Sequence, residues 1–315
     1  MVSARIWAGA CFRGNLPGVR LALPPALSPG EVAAVVAPSS PFRRDDLWRG
    51  LSWIRARYRV AVSAGILATE GYLAGSDARR SAELARAMLH PEAKAILAVR
   101  GGYGAMRILD ELPWSQFAER PKWIVGHSDV TALHAMAWSA GIASVHGPNV
   151  TGLGSSVAPS VRASWIAALE RPTFSQSWRG LQLLHGGSAK GLLVGGNLAL
   201  LSAMAAAGRL WIPLGAILVI EDVTESPYRI DRMLTSLMLG GYLARASAIV
   251  FGDFVRCPAG KDGRPVEDVL DERTRGLGIP VRTGAPFGHG ERNEAFLLGV
   301  PAELSGDELR FEPAG

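Results

Sequence analysis

The run Trp123-Ile124-Val125-Gly126-His127-Ser128-Asp129-Val130-Thr131 decides the reading of this chain. Its first three residues suit a short buried strand and residues 130–139 suit a helix, which leaves Ser128 on the tight turn between them. A serine hydroxyl is a poor nucleophile until it is lifted clear of its sheet and paired with a base. A strand-turn-helix elbow does the lifting, and backbone amides at the helix start then face a developing oxyanion. The G-x-S-x-G form of the elbow is half present, because Val130 stands at the second glycine position. The competing reading is that Ser128 or Asp129 caps the helix that follows.

Outward from this turn the same alternation repeats. Val32-Ala33-Ala34-Val35-Val36-Ala37 reads as a first buried strand stopped by Pro38-Ser39-Ser40-Pro41, and residues 45–58 and 79–89 read as helices. Ala95-Ile96-Leu97-Ala98-Val99 is a second strand, ended by Arg100-Gly101-Gly102-Tyr103-Gly104, with a helix over 106–112. Beyond a Ser-, Gly- and Pro-richer stretch with one helix at 161–169, Gly191 to Gly196 is expected to open a helix over 198–207. Ala216-Ile217-Leu218-Val219-Ile220 is a strongly apolar strand ending in Glu221-Asp222. A helix over 228–243, a strand at 248–251 and a strand-rich 296–304 follow.

Strands alternating with helices predict an α/β protein: an N-terminal, doubly wound, mostly parallel sheet domain carrying the elbow, and a smaller C-terminal α/β domain with a strand-rich core. The expected division is a loose leader over 1–28, the first domain over 29–155, a linker over 156–187 and the second domain over 188–315.

Composition narrows the function classes. The 33 Lys and Arg against 28 Asp and Glu give a net charge of +5, yet the basic residues are spread along the chain, so neither a nucleic-acid partner nor a membrane surface is indicated. Two cysteines far apart form no metal or disulfide pattern. No apolar run approaches the roughly 20 residues a bilayer demands, and the arginine-interrupted start lacks a secretory h-region, which places the protein in the cytoplasm.

A nucleophile needs a base and a group that orients it. Among six histidines, His289 lies in the glycine-flanked loop Phe287-Gly288-His289-Gly290, from which an imidazole reaches across a cleft; His146 in His146-Gly147-Pro148 is the runner-up. His127 adjoins the serine but, in an elbow, points away from its Oγ. Glu221 ends the most apolar strand of the second half, where a carboxylate demands a partner. Asp222, Glu225 and Asp231 compete with it, and Asn197 either caps the helix after it or meets substrate.

Together, Val36-Ala37-Pro38-Ser39-Ser40-Pro41, Arg100-Gly101-Gly102-Tyr103-Gly104, Gly126-His127-Ser128-Asp129-Val130-Thr131, His146-Gly147-Pro148, Gly195-Gly196-Asn197-Leu198, Glu221-Asp222 with Pro227-Tyr228-Arg229-Ile230-Asp231-Arg232, and Gly288-His289-Gly290 resemble the LD-carboxypeptidases in order and spacing. That family includes murein tetrapeptide carboxypeptidases and microcin C self-immunity peptidases. The resemblance implies a triad of Ser128, Glu221 and His289, with the backbone amides of Gly102 and Asp129 as oxyanion hole. It further implies release of a terminal D-Ala at an L,D amide bond in peptidoglycan recycling, a homodimer, and chemistry that requires no metal or organic cofactor. The substrate's free carboxylate then needs a cation, for which Arg100 is the candidate, with Asn197 as a second substrate contact. His127 departs from the family, which more often has an aromatic residue there, and residues 1–28 have no obvious counterpart. Two other readings stand beside this one: cleavage of aminoacyl-adenylate amides, with Trp178 stacking a nucleobase, and a non-catalytic peptide or sugar binder.

Overall fold

The computed structural model describes residues 21–155, 157–311 and 313. The strands β1 (Val32–Val36), β2 (Arg59–Val62), β3 (Ala93–Ala98), β4 (Trp123–Gly126) and β5 (Ser144–His146) pair in parallel in the order β5-β4-β3-β1-β2. All five residues of β1 and all four of β4 are buried, as strands covered by helices on both faces must be. The covering helices show why they form. Arg44–Arg55 turns Leu47, Leu51 and Ile54 inward at helical spacing. Asp77–Leu89 starts at Ser76, whose Oγ accepts from the Arg79 amide at 3.2 Å.

A second sheet is built from β6 (Gln176–Trp178), β7 (Gln182–His185), β8 (Ala189–Asn197), β9 (Ala216–Val223), β10 (Ala246–Val255) and β11 (Val281–Thr283). β12 (Phe296–Leu298) then returns to the first sheet, antiparallel to β5, before β13 (Pro301–Ser305) and β14 (Glu308–Phe311) complete the second in the order β6-β14-β13-β8-β9-β10-β11-β7. The centre, β8-β9-β10-β11, is parallel and the flanks are antiparallel. The protein is thus a two-domain α/β fold with mixed sheets. Phe296 to Leu304 is strand-rich as its apolar run suggested, but the two strands in it serve different sheets.

Three segments differ from the sequence reading. The helix expected over 198–207 is present at Leu198–Ala206, but Gly191 to Gly196 before it are not a turn; they are extended in β8, where glycine permits close approach to β9, and a methyl at Gly195 would collide with the Val219 carbonyl oxygen. Residues 1–20 of the expected leader lie outside the described residues, but 21–28 are docked. Ala22 forms a parallel bridge with Ile142, the Leu27 amide donates to the Leu169 carbonyl at 2.9 Å, and the Trp123 indole donates to the Pro25 carbonyl at 2.9 Å. Within 156–187, expected as linker, lie the helix Pro159–Glu170 and the edge strands β6 and β7. Trp178 is buried there, stacked on Phe287 at 5.3 Å and edge-on to Phe296 and Phe311. It is a core residue and offers no open face to a nucleobase.

Candidate active site

The carboxyl ends of β1, β3 and β4 converge, as they must in a parallel sheet, and the loops leaving them carry the chemistry. After β4 the chain turns through Ser128–Val130, a single 3-10 turn, into the helix Thr131–Ser139. Ser128 has φ of 64°, the left-handed region that a side chain adopts only under strain. This is the elbow, and the capping alternative fails. The helix begins after Val130 without a side-chain cap, and the Asp129 carboxylate accepts instead from the Ala105 amide at 2.8 Å.

Loop 101–104 packs onto this elbow. A Cβ on Gly101 would lie 2.7 Å from Ser128 Cβ, 3.0 Å from Ser128 Oγ and 3.1 Å from the Asp129 nitrogen, so the glycine is what allows the loop to run beside Ser128. The loop is stitched to the turn after β1: the Ser40 amide donates to the Gly101 carbonyl, Ser40 Oγ accepts from the Tyr103 amide at 3.0 Å, and Arg100 Nη1 donates to the Pro41 carbonyl at 2.9 Å. Beneath it the fully buried Arg80 donates to the Pro38 and Gly104 carbonyls and pairs with Asp77. Sequence reasoning missed Arg80; in the sequence it looks like one more helix arginine. Gly101→Ala is expected to displace the elbow, because the added methyl meets Ser128 Cβ and a backbone nitrogen rather than a flexible chain end, and so to lower kcat about 100-fold and Tm with it, which kinetics and calorimetry on one preparation would check.

The second sheet supplies the other two groups. Glu221, near the carboxyl end of β9, is fully buried, and its Oε2 accepts from Nδ1–H of His289 at 2.7 Å. That bond fixes the tautomer, leaving His289 Nε2 unprotonated and available as a base. Burial pushes the His289 pKa down, but the hydrogen bond and charge of Glu221, joined by Asp222 and opposed by Arg256, raise it above its ordinary 6.5. Gly288 lets the loop approach, since a Cβ there would lie 3.0 Å from Glu221 Oε2.

The competing residues have other work. Asp222 accepts from Asn197 Nδ2 at 3.0 Å and from the Ala199 amide at 2.9 Å, and burial raises its pKa to about 6. Asn197 Oδ1 accepts from the Leu200 amide at 3.2 Å, which makes Asn197 the cap of the helix Leu198–Ala206. Glu225 and Asp231 lie in ion pairs with Arg229 and Arg273. His146 is fully buried, 5.0 Å from the Phe296 ring and stacked on it.

His127 joins the two halves: its ring lies 4.9 Å from that of His289. Ser128 Oγ and His289 are not hydrogen-bonded to one another, a contact that commonly tightens only around a bound substrate. Among the described residues no group of three or more His, Cys, Asp and Glu is arranged to hold a metal ion.

Known proteins bear on this arrangement. The family model described as the LD-carboxypeptidase N-terminal domain matches residues 33–147, and that of the LD-carboxypeptidase C-terminal domain matches 190–304. A putative carboxypeptidase of Synechocystis sp. is 41% identical over 301 residues, 90% of this chain and 94% of that one. The murein tetrapeptide carboxypeptidase of Pseudomonas aeruginosa is 33% identical over 290 residues, 88% of this chain and 94% of its own. The crystal structure of muramoyltetrapeptide carboxypeptidase from Oxalobacter formigenes superposes with a TM-score of 0.81 at 28% identity, covering 90% of this chain and 100% of that one. With both halves matched in order and relatives similar along nearly the whole length, this chain belongs to the LD-carboxypeptidase family and is a peptidase.

Proposed function

We propose that the chain is a serine carboxypeptidase that hydrolyses an L,D amide bond and releases the terminal D-Ala of murein tetrapeptides through an acyl-enzyme. The observation that carries this reading is the 2.7 Å bond from His289 to a fully buried Glu221, in a loop whose histidine packs on the residue before Ser128. In the proposed cycle, His289 Nε2 takes the Ser128 proton as Oγ attacks the amide carbonyl, and the Gly102 and Asp129 amides hold the oxyanion. The imidazolium then protonates the departing D-Ala nitrogen, leaving an ester on Ser128. Water attacks that ester, His289 accepts its proton, and the tripeptide leaves with the serine restored. Glu221 stabilises each imidazolium.

A carboxypeptidase must also recognise a free carboxylate. Arg100 is exposed beside the glycine loop and spends one N–H on Pro41, leaving guanidinium donors for a ligand. Arg100→Met is expected to raise KM about tenfold to a hundredfold with kcat nearly held, the split that defines a binding contact. Asn197 is buried, with Oδ1 on the Leu200 amide and Nδ2 on Asp222, and so serves as a helix cap rather than as a substrate contact.

The alternative substrate, an aminoacyl-adenylate amide, loses its stacking residue because Trp178 is buried. A non-catalytic binder leaves the polarised Glu221–His289 pair without a purpose. We place the enzyme in the cytoplasm as a homodimer acting on small peptides in peptidoglycan recycling, with neither nucleic acid nor membrane as partner. No helix among the described residues is long and apolar enough to cross a membrane. The decisive assay is mass spectrometry of the purified protein against a murein tetrapeptide and an aminoacyl-sulfamoyl adenosine. Loss of D-Ala from the first is expected; turnover of the second alone would replace the substrate class.

A further inference from the structure

His127 lies between the nucleophile and the base and has no part in the cycle above. Its position in the chain explains its orientation. The residue before an elbow serine is still extended, here at φ of −145°, so its side chain projects to the side opposite Ser128. Two contacts then fix it. The His127 amide donates to Asn149 Oδ1 at 3.3 Å, and the ring nitrogen Nδ1 lies 3.2 Å from the Gly147 carbonyl oxygen. A carbonyl only accepts, so Nδ1 carries the proton and the ring cannot flip without breaking that bond. The imidazole is therefore held at a set angle. What it meets is His289, at 4.9 Å between ring centres and 66° between planes, an edge-to-face contact.

The catalytic histidine itself hangs from a loop of glycines, Gly288 and Gly290, and among the described residues its only side-chain hydrogen bond is the one to Glu221. One bond at Nδ1 leaves the ring free to swing about that nitrogen, and the swing would carry Nε2 away from Ser128. A second, rigid surface is required to stop it. We propose that His127 is a positioning residue: its tautomer-locked ring braces His289 so that Nε2 stays aimed at the elbow while Nδ1 stays on Glu221. This rests on the assignment of His289 as the base.

The brace must be uncharged, because a cation against His289 would oppose the imidazolium that each turnover forms. The surroundings provide for that. The protein packed around His127, together with the facing charge of His289 and with His134 behind it, pushes its pKa down to about 3. His146, 6.1 Å away, is likewise held well below its ordinary value by burial. Glu221, Asp222 and Arg256 act on His289 from the other side. The brace thus stays neutral while the base titrates, and an aromatic hydrocarbon ring of the same outline would brace nearly as well.

The test uses the full chain with His127→Ala and His127→Phe, two readouts and a melting curve. Against the murein tetrapeptide, His127→Ala is expected to lower kcat about 10- to 100-fold with KM nearly unchanged, and His127→Phe to restore it to within about threefold of wild type. In proton NMR, the low-field Nδ1–H resonance of His289, assigned by its loss in Glu221→Ala, should persist in wild type and His127→Phe and broaden in His127→Ala. Full kcat in His127→Ala would overturn the proposal, and so would His127→Phe falling as far as His127→Ala, since a ring nitrogen would then be doing chemistry. The NMR readout needs no turnover. An inactive wild type on this substrate would sink the substrate reading and leave the bracing claim to be decided by the resonance alone.

Discussion

Ser128→Ala is expected to lower kcat/KM on the order of ten-thousand-fold or more and to leave the fold and its melting temperature almost unchanged. The two halves of that expectation have separate causes. In the proposed cycle the hydroxyl is the atom that forms the ester, so its removal would end covalent catalysis and leave only the stabilisation that the Gly102 and Asp129 amides, as the proposed oxyanion hole, would give a direct attack by water. Stability is insensitive because Ser128 Oγ makes none of the hydrogen bonds that hold the elbow, which is secured by Asp129 to Ala105 and by Asn149 to His127. The backbone carries a further, opposite consequence. At φ of 64° a side chain is strained by about 1 kcal/mol or more, so Ser128→Gly should be as inactive as the alanine variant yet melt at the wild-type temperature or above it. Rate measurements, thermal melts and intact-mass detection of an acyl adduct on wild type alone check the set together. Retained turnover in Ser128→Ala would remove the nucleophile assignment.

Much of the fold was legible because it depends on local pattern. Continuous apolar runs such as Val32 to Val36 mark strands buried on both faces, and the spacing of Leu47, Leu51 and Ile54 marks a helix covering them. The glycines of β8 misled because a glycine run signals a turn or helix start in one dimension; only the approach of β9 explains them. β12 lies within the stretch expected to form the second domain but pairs in the first sheet, for a related reason. Nothing in Phe296-Leu297-Leu298 records that it will pair with Val145 and His146, some 150 residues away in sequence, because the pairing is set by where the rest of the chain has already folded.

The site divides the same way. Ser128, His289 and Glu221 could be found singly, as a serine between strand and helix, a histidine among glycines and an acid at the end of an apolar strand. What the sequence withheld was mutual geometry. Arg80 and Asn149 look like ordinary helix and loop residues until their donors and acceptors are seen to hold the glycine loop and the elbow. His127 looks like a departure from an aromatic pattern until its ring is found against His289.

Glu221→Gln is expected to cost about ten-thousand-fold in kcat, although it changes no shape. The carboxylate does two things that an amide cannot do together. It accepts from His289 Nδ1 without ambiguity, which leaves Nε2 bare; a glutamine can turn its NH2 to that nitrogen and leave the proton on Nε2, where the imidazole cannot take one from Ser128. It would also stabilise the imidazolium across 2.7 Å from a fully buried position, where solvent screens little. The pH profile separates this from a general loss of structure. Burial lowers the His289 pKa and Glu221 raises it, so in wild type the base is protonated, and activity fails, as pH drops through a value above 6.5. In Glu221→Gln the larger raising influence is gone, only that of Asp222 is left, and burial remains, so the acid limb of kcat/KM should move to lower pH even as the plateau falls. Stability should follow the same linkage. A raised histidine pKa contributes stability that is complete below the unfolded-state value and is lost as pH rises through the folded one, so the wild-type melting temperature should decline across that interval and the variant's should flatten. An acid limb that stays in place, or moves up, would show that Glu221 is not what holds the base.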